Sequence, residues 1–114
     1  IAVPALWEAP AVGFMNKCST TSGVTSPLFP ALSMGFGNEA EGGAEGYAAG
    51  NILATHITGP VLVKNPAFLN YLAGRLYENR GARRPALPED APWRVHAQQA
   101  YEVTLAELSQ RLGK

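Results

Sequence analysis

The feature that most limits how this chain can fold is a glycine-rich stretch, GFGNEAEGGAEGYAAG, at residues 35–50, with six glycines in sixteen positions. Each glycine costs a helix interior roughly 1 kcal/mol relative to alanine, which excludes a stable helix here. The stretch predicts a loop or a hairpin turn. A solvated loop is the preferred account of Glu39, Glu41 and Glu45, with ligand binding as the alternative. The pattern is not that of a phosphate-binding loop, because it contains neither GxxxxGK[ST] nor GxGxxG.

Short apolar runs come before this stretch. The segments IAVPALWE at 1–8 and AVGFMN at 11–16 flank Ala9-Pro10 and predict a hairpin or two adjacent strands. The small polar residues of 17–27 predict a loop, and residues 28–37 predict one irregular strand.

After the glycine-rich stretch, the sequence NILATHI at 51–57 predicts a central buried strand that ends in the bend Thr58-Gly59-Pro60. Asn65 suits a helix N-cap, and Pro66 suits the first helical position. A helix is therefore expected at about 66–80, with Gly81 as its terminator.

A second helix is expected at about 92–112, with an apolar stripe of Trp93, Ala97, Tyr101, Leu108 and Leu112. The whole chain, 1–114, thus forms a single domain with strands at about 1–57 and two C-terminal helices. Two architectures fit this order. One is a stand-alone α+β domain, and the other is the second half of a doubly wound α/β sheet.

Composition excludes several kinds of partner. Charged residues make up only 16% of the chain and apolar residues 46%, against a usual charged share of about 25%. The net charge is zero, with nine basic and nine acidic residues, so no nucleic-acid or anionic-membrane surface is expected. The single cysteine favours a cytoplasmic location. The start, IAVPALWE, carries no Met or signal-type segment. Two readings are open: removal of a few residues, or the C-terminal part of a larger domain.

Few residues are candidates for chemistry. His56 lies in the predicted strand on the same face as Thr58, where a structural role competes with a catalytic one. His96 is expected to be structural or solvated. Cys18 precedes a polar loop rather than a helix N-terminus, and is therefore read as an ordinary thiol. No histidine or carboxylate spacing typical of a metal site occurs, and no cofactor is expected.

Several stretches together resemble one family. They are VGFMN at 12–16, GFGNEAEGGAEG at 35–46, and THITGPVLVKNP at 55–66. In this order and spacing they resemble the C-terminal half of CobB/CobQ-type class I glutamine amidotransferase domains, most nearly the glutaminase subunits of lipid II isoglutaminyl synthases. The likeness covers about residues 11–80, and its most specific part is GP-x-L-x-KNP after a strand.

The resemblance implies a flavodoxin-like α/β sandwich, here a partial one. It also implies a mechanism in which a cysteine on a strand-to-helix elbow attacks a glutamine amide. A histidine at the end of a later strand serves as the base, and ammonia passes to a Mur-ligase-like or synthetase partner in peptidoglycan or cobyric-acid amidation. Asn16 and Gly59 are carried over as substrate-binding positions.

Two departures from the family pattern alter the expected function. The cysteine elbow belongs to the preceding half of the domain, so this chain alone is expected to be inactive, and the missing N-terminal half or a second copy is an expected partner. The family's histidine directly before Gly-Pro is Thr58 here, and a threonine hydroxyl cannot serve as a general base at neutral pH. His56, two residues earlier, is the candidate replacement. The alternatives are a non-catalytic amidotransferase-like module and a stand-alone α+β domain that dimerises through its last helix.

Overall fold

Short strands dominate the first half of the chain in the computed structural model, which describes residues 1–113. They are β1 (Ala2–Val3), β2 (Phe14–Met15), β3 (Ala31–Leu32), β4 (Tyr47–Ala49), β5 (Ile52–Ala54) and β6 (Ile57–Thr58). They form three separate two-stranded antiparallel ladders, β1 with β3, β2 with β6, and β4 with β5.

Three helices follow: α1 (Val61–Lys64), α2 (Pro66–Asn79) and α3 (Pro92–Leu112). The helices expected at 66–80 and 92–112 correspond to α2 and α3. Each begins at a proline, whose fixed φ and missing N–H suit the first helical position. Gly81 follows α2 with a φ of +62° and donates its N–H to the Glu78 carbonyl, as a terminating glycine does.

The structure is thus a small mixed α/β fold of short antiparallel strands followed by helices. The described strands all pair in the antiparallel sense, whereas a doubly wound sheet is mostly parallel. These ladders therefore do not confirm the flavodoxin-like sandwich that the resemblance implies.

The strand expected at 51–57 is wrong as a single buried element. It is divided into β5 and β6, because the intervening Thr55 and His56 make hydrogen bonds to Glu45 in place of a ladder partner. The segment is also less buried than expected, since the side chain of Ile52 is 62% exposed.

An aromatic cluster joins the N-terminal segment to α2. The indole of Trp7 stacks on Phe68 with ring centroids 4.5 Å apart and meets Phe29 edge-on at 5.6 Å. Tyr71 lies on the same indole at 5.4 Å. Phe29 and Phe68 are buried with Ala2, Ala11 and Leu28, so this cluster is the centre of the hydrophobic core.

Asn65 occupies the N-cap position of α2, but the role predicted for its side chain is wrong. Its amide is buried and accepts a hydrogen bond from the Val12 N–H at 2.7 Å. The same amide donates to the carbonyls of Val12 and Val61 at 2.8 and 2.7 Å. Asn65 therefore acts as a long-range clamp between α2 and the segment before β2.

The middle of the α3 stripe packs against the rest of the chain. Ala97 and Tyr101 are buried, and the Tyr101 hydroxyl donates to the Pro10 carbonyl at 2.9 Å. The ends of the stripe differ from the prediction, because Trp93 and Leu112 remain about half exposed. Tyr101 is therefore already engaged within the chain. Across residues 1–113, α3 included, the helices all fall short of the length and apolar character needed to cross a membrane.

Candidate functional site

Glu45 is fully buried, which contradicts the prediction of a solvated loop residue. Its backbone pairs with Phe29 in both directions, the two N–H groups each donating to the other residue's carbonyl at 2.9 Å. This bridge draws the end of the glycine-rich stretch into the core. Glu39 and Glu41 stay exposed, as the loop reading expected.

The buried carboxylate has three polar partners on one dipeptide. The Thr55 hydroxyl donates to Oε2 at 2.6 Å, and the His56 backbone N–H donates to Oε1 at 2.6 Å. The imidazole Nδ1 of His56 lies 3.1 Å from the same Oε1. Because a buried carboxylate is stable only with well-placed donors or an opposite charge, these three contacts account for its burial.

The contact with Glu45 determines the tautomer and the orientation of the His56 imidazole. A carboxylate only accepts hydrogen bonds, so the Nδ1–H form of the neutral ring satisfies the contact. Nε2 then carries the lone pair. The side chain is 39% exposed, so the ring is held at one nitrogen while it stays accessible from outside the core. A base oriented by a third group in this way is a recurring element of nucleophilic catalysis.

A second asparagine clamp holds the backbone next to Glu45. The buried Asn38 amide donates to the Gly46 carbonyl at 3.0 Å and accepts from the Gly46 N–H at 2.9 Å. Gly46 has a φ of +72°, and a Cβ at this position would collide with the Ala54 carbonyl oxygen. The close approach of the backbone beside Glu45 therefore requires glycine.

The loop that carries Cys18 is attached to the same clamp. Lys17 Nζ donates to the Asn38 carbonyl at 3.2 Å, and the Thr21 N–H donates to it at 2.8 Å. Cys18 itself is exposed and lies in this irregular loop. It does not stand on a strand-to-helix elbow, where a helix N-terminus would favour the thiolate.

The other predicted site residues lie in the β2–β6 ladder or directly next to it. Phe14 pairs with Thr58 and Met15 with Ile57, so Asn16 and His56 are the next residues along these antiparallel strands at the opposite end from Gly59. Thr58 is exposed, and its hydroxyl donates to the Phe14 carbonyl at 3.1 Å. The ladder thus places Asn16 closer to His56 than Gly59 is. Gly59 has a φ of +80° and forms the bend after Thr58.

A cleft of about 240 Å³ opens beside this ladder, and its lining includes Glu45, Met15, Ile57 and Leu108 of α3. Its walls are otherwise mainly apolar. The lining includes Glu45 but not His56, so the cleft borders the carboxylate side of the pair.

The sequence did not predict the burial of Glu45 or its hydrogen bond with Thr55. The available signal was that Glu45-Gly46 directly precedes an apolar run. A charged residue next to such a run is buried only when hydrogen-bond donors pair with it. The fold and the site together define a small mixed α/β protein with a buried carboxylate that orients a partly exposed histidine. The chain matches no protein-family model, no curated protein and no solved structure.

Proposed function

We propose that this chain is the base-bearing part of a class I glutamine amidotransferase-like domain, with His56 as general base and Glu45 as the residue that orients it. The observation that carries the proposal is the 3.1 Å contact between His56 Nδ1 and the fully buried Glu45 Oε1. The resemblance of residues 11–80 to this class supplies the reaction type.

In the proposed reaction, Nε2 of His56 takes the proton of a cysteine thiol supplied by polypeptide outside these residues. The resulting thiolate attacks the side-chain carbonyl carbon of glutamine, and a C–S bond forms. The C–N bond then breaks, and ammonia leaves with the proton held on Nε2. Water, deprotonated by the same histidine, hydrolyses the thioester to glutamate. Ammonia passes to a ligase or synthetase partner, in a cytoplasmic setting.

Glu45 contributes by positioning. Its Oε1 accepts from both the backbone N–H and the Nδ1 of His56, and Thr55 anchors Oε2. The imidazole therefore keeps one orientation, and the positive charge that forms on it when it takes a proton lies beside a carboxylate. Positioned acid–base groups of this kind typically contribute about 10²–10⁴-fold to a rate.

The test is ammonia release from glutamine by the natural full-length gene product together with its ligase or synthetase partner. His56→Gln is expected to reduce release by about 10²-fold or more, and a thiol-blocking reagent is expected to abolish it. His96→Gln is the matched control, because His96 is an exposed histidine on α3. Undiminished release by His56→Gln with retained fold would overturn the role of His56.

A second candidate function is a non-catalytic amidotransferase-like module that binds the same kind of partner. Thr58 favours it, because the position where the resemblance expects the base carries a hydroxyl that donates to the Phe14 carbonyl. Stable binding of a Mur-ligase-like or synthetase partner without ammonia release would select this module over the enzyme.

We also propose that an apolar surface beside the site is covered by the missing N-terminal half or by a second copy. Phe14, which pairs with Thr58, is 65% exposed. Sedimentation of the chain tests this proposal, and a monodisperse monomer would contradict it.

A further inference from the structure

A separate cavity of about 530 Å³ lies between α2, the connector that follows it and the start of α3. Pockets that hold small molecules commonly measure about 300–1,000 Å³. Its apolar wall comes from Leu69 and Ala73 on α2, Leu87 on the connector and Trp93 on α3. The indole of Trp93 is 52% exposed and offers a flat apolar face to a ligand. The cavity involves neither His56 nor Glu45.

Two arginines, Arg84 and Arg94, line this cavity. Arg84 donates from Nη1 to the Asn70 carbonyl at 2.9 Å and from Nη2 to the Asn70 Oδ1 at 2.5 Å. Arg94 donates from Nη1 to the carbonyls of Leu87 and Pro88 at 3.2 and 3.3 Å. Both side chains are half-buried. These bonds hold the guanidinium groups in place while other N–H donors of each fork remain for a ligand.

The charge of both arginines is uncompensated. Their partners are neutral oxygens, and within residues 1–113 the ion pairs closer than 4.0 Å involve other side chains. Glu89 also lines the cavity, but it is exposed. A guanidinium group fixed beside an apolar wall suits a ligand that carries a carboxylate or phosphate on an apolar body. The planar guanidinium binds the oxygens of such groups in pairs.

We propose that this cavity is a binding site for a small amphipathic anion. The carboxylate or phosphate group binds between Arg84 and Arg94, and the apolar body lies on Leu69, Ala73 and Trp93. Glu89 at the same cavity opposes the anion and weakens its binding.

The test is an NMR titration of the whole chain with octanoate, octyl phosphate and the uncharged octanol, each below its aggregation limit. The indole N–H of Trp93, assigned with Trp93→Phe, is the readout. At least one of the two anions is expected to bind about tenfold or more tightly than octanol, the difference that charged hydrogen bonds provide. A preference for one anion identifies the head group. Equal affinity for octanol and both anions, or no shift of Trp93, would overturn the proposal.

Charge variants make the test sharper. Arg84→Gln and Arg94→Gln are each expected to weaken binding of the preferred anion about tenfold and to leave octanol binding unchanged. Glu89→Gln is expected to tighten anion binding. This variant keeps the hydrogen bonds of both arginines, so its folding does not depend on their loss. Arg80→Gln, at the end of α2 and outside the cavity lining, is the matched control. Weaker anion binding in Glu89→Gln would contradict the assigned site.

Discussion

The side chain of Asn65 hydrogen-bonds both backbone groups of Val12, 53 residues earlier in the chain. Asn38 does the same to Gly46, at 3.0 and 2.9 Å. In each case one amide supplies the donor and the acceptor that a neighbouring strand would have offered. The chain therefore fixes two buried backbone segments without extending its short ladders.

Asn65→Ala should reveal what this clamp contributes. The substitution leaves the Val12 N–H and carbonyl buried without partners, and each such group costs about 1–3 kcal/mol. We expect the free energy of unfolding to fall by roughly 2–4 kcal/mol in urea denaturation. Asn79→Ala is the control, because Asn79 is exposed and makes one side-chain contact, to Asn51. A loss below about 1 kcal/mol for Asn65→Ala would show that the clamp is replaceable.

Glu45→Gln tests whether residue 45 must present two oxygen atoms that both accept hydrogen bonds. The glutamine amide replaces one oxygen with an NH₂ group, which can face Thr55 only if that hydroxyl turns from donor to acceptor. The hydrogen bonds to a charged carboxylate also become weaker bonds to a neutral amide. We expect a loss of about 1–3 kcal/mol in the free energy of unfolding. Glu41→Gln, in the exposed part of the same loop, should change it little. Equal stability of the two variants would argue against the observed network.

The His56 imidazole should give a direct spectroscopic sign of its contact with Glu45. With Nδ1 3.1 Å from Oε1, the neutral ring is expected in the Nδ1–H form, which nitrogen-15 chemical shifts distinguish from the Nε2–H form. His96 is exposed and serves as the internal reference. An Nε2–H ring at His56 would remove the basis for assigning the base to Nε2.

Trp7 and Trp93 form a matched pair for the aromatic core. Trp7 stacks on Phe68, while Trp93 is 52% exposed. Removal of a large buried aromatic side chain costs about 3–5 kcal/mol. We expect Trp7→Ala to approach this loss in thermal or chemical unfolding and Trp93→Ala to change stability much less. A similar loss for both would contradict the placement of the core.

Tyr101 should make stability fall at alkaline pH. Burial raises the pKa of the Tyr101 phenol above its ordinary 10.0, and its neutral hydroxyl donates to Pro10. The unfolded chain releases this proton first. The contribution is therefore fully present below pH 10.0 and is lost as pH rises through the raised folded-state pKa. Tyr101→Phe should flatten the alkaline part of the stability profile, and Tyr47→Phe, at an exposed tyrosine, should leave it unchanged.

The helices were the most predictable elements, because their signals are local. Pro66 and Pro92 mark the first residues of α2 and α3, and Gly81 follows the end of α2. The strands were less predictable, since each ladder spans only two or three residues on a strand. Pairing of such short strands depends on partners far along the chain, and apolar runs alone do not specify them.

The candidate site was half predictable. His56 and the Thr58 bend follow from the pattern of residues 54–66, but the oriented pair does not. Glu45 sits in a glycine-rich stretch, where composition favours a solvated residue. Its burial results from the bridge to Phe29 and from three donors on Thr55 and His56. Tertiary contacts of this kind override local composition.

The hydrogen bond from Tyr101 to Pro10 joins residues 91 positions apart, and this separation matters during protein synthesis. A ribosome makes the N-terminal segment first, at about 5–20 residues per second. Several seconds therefore pass between the synthesis of Pro10 and that of the part of α3 that covers its carbonyl. Through that interval the nascent N-terminal segment lacks its contact with α3, so this part of the chain completes its packing only after the last helix is made.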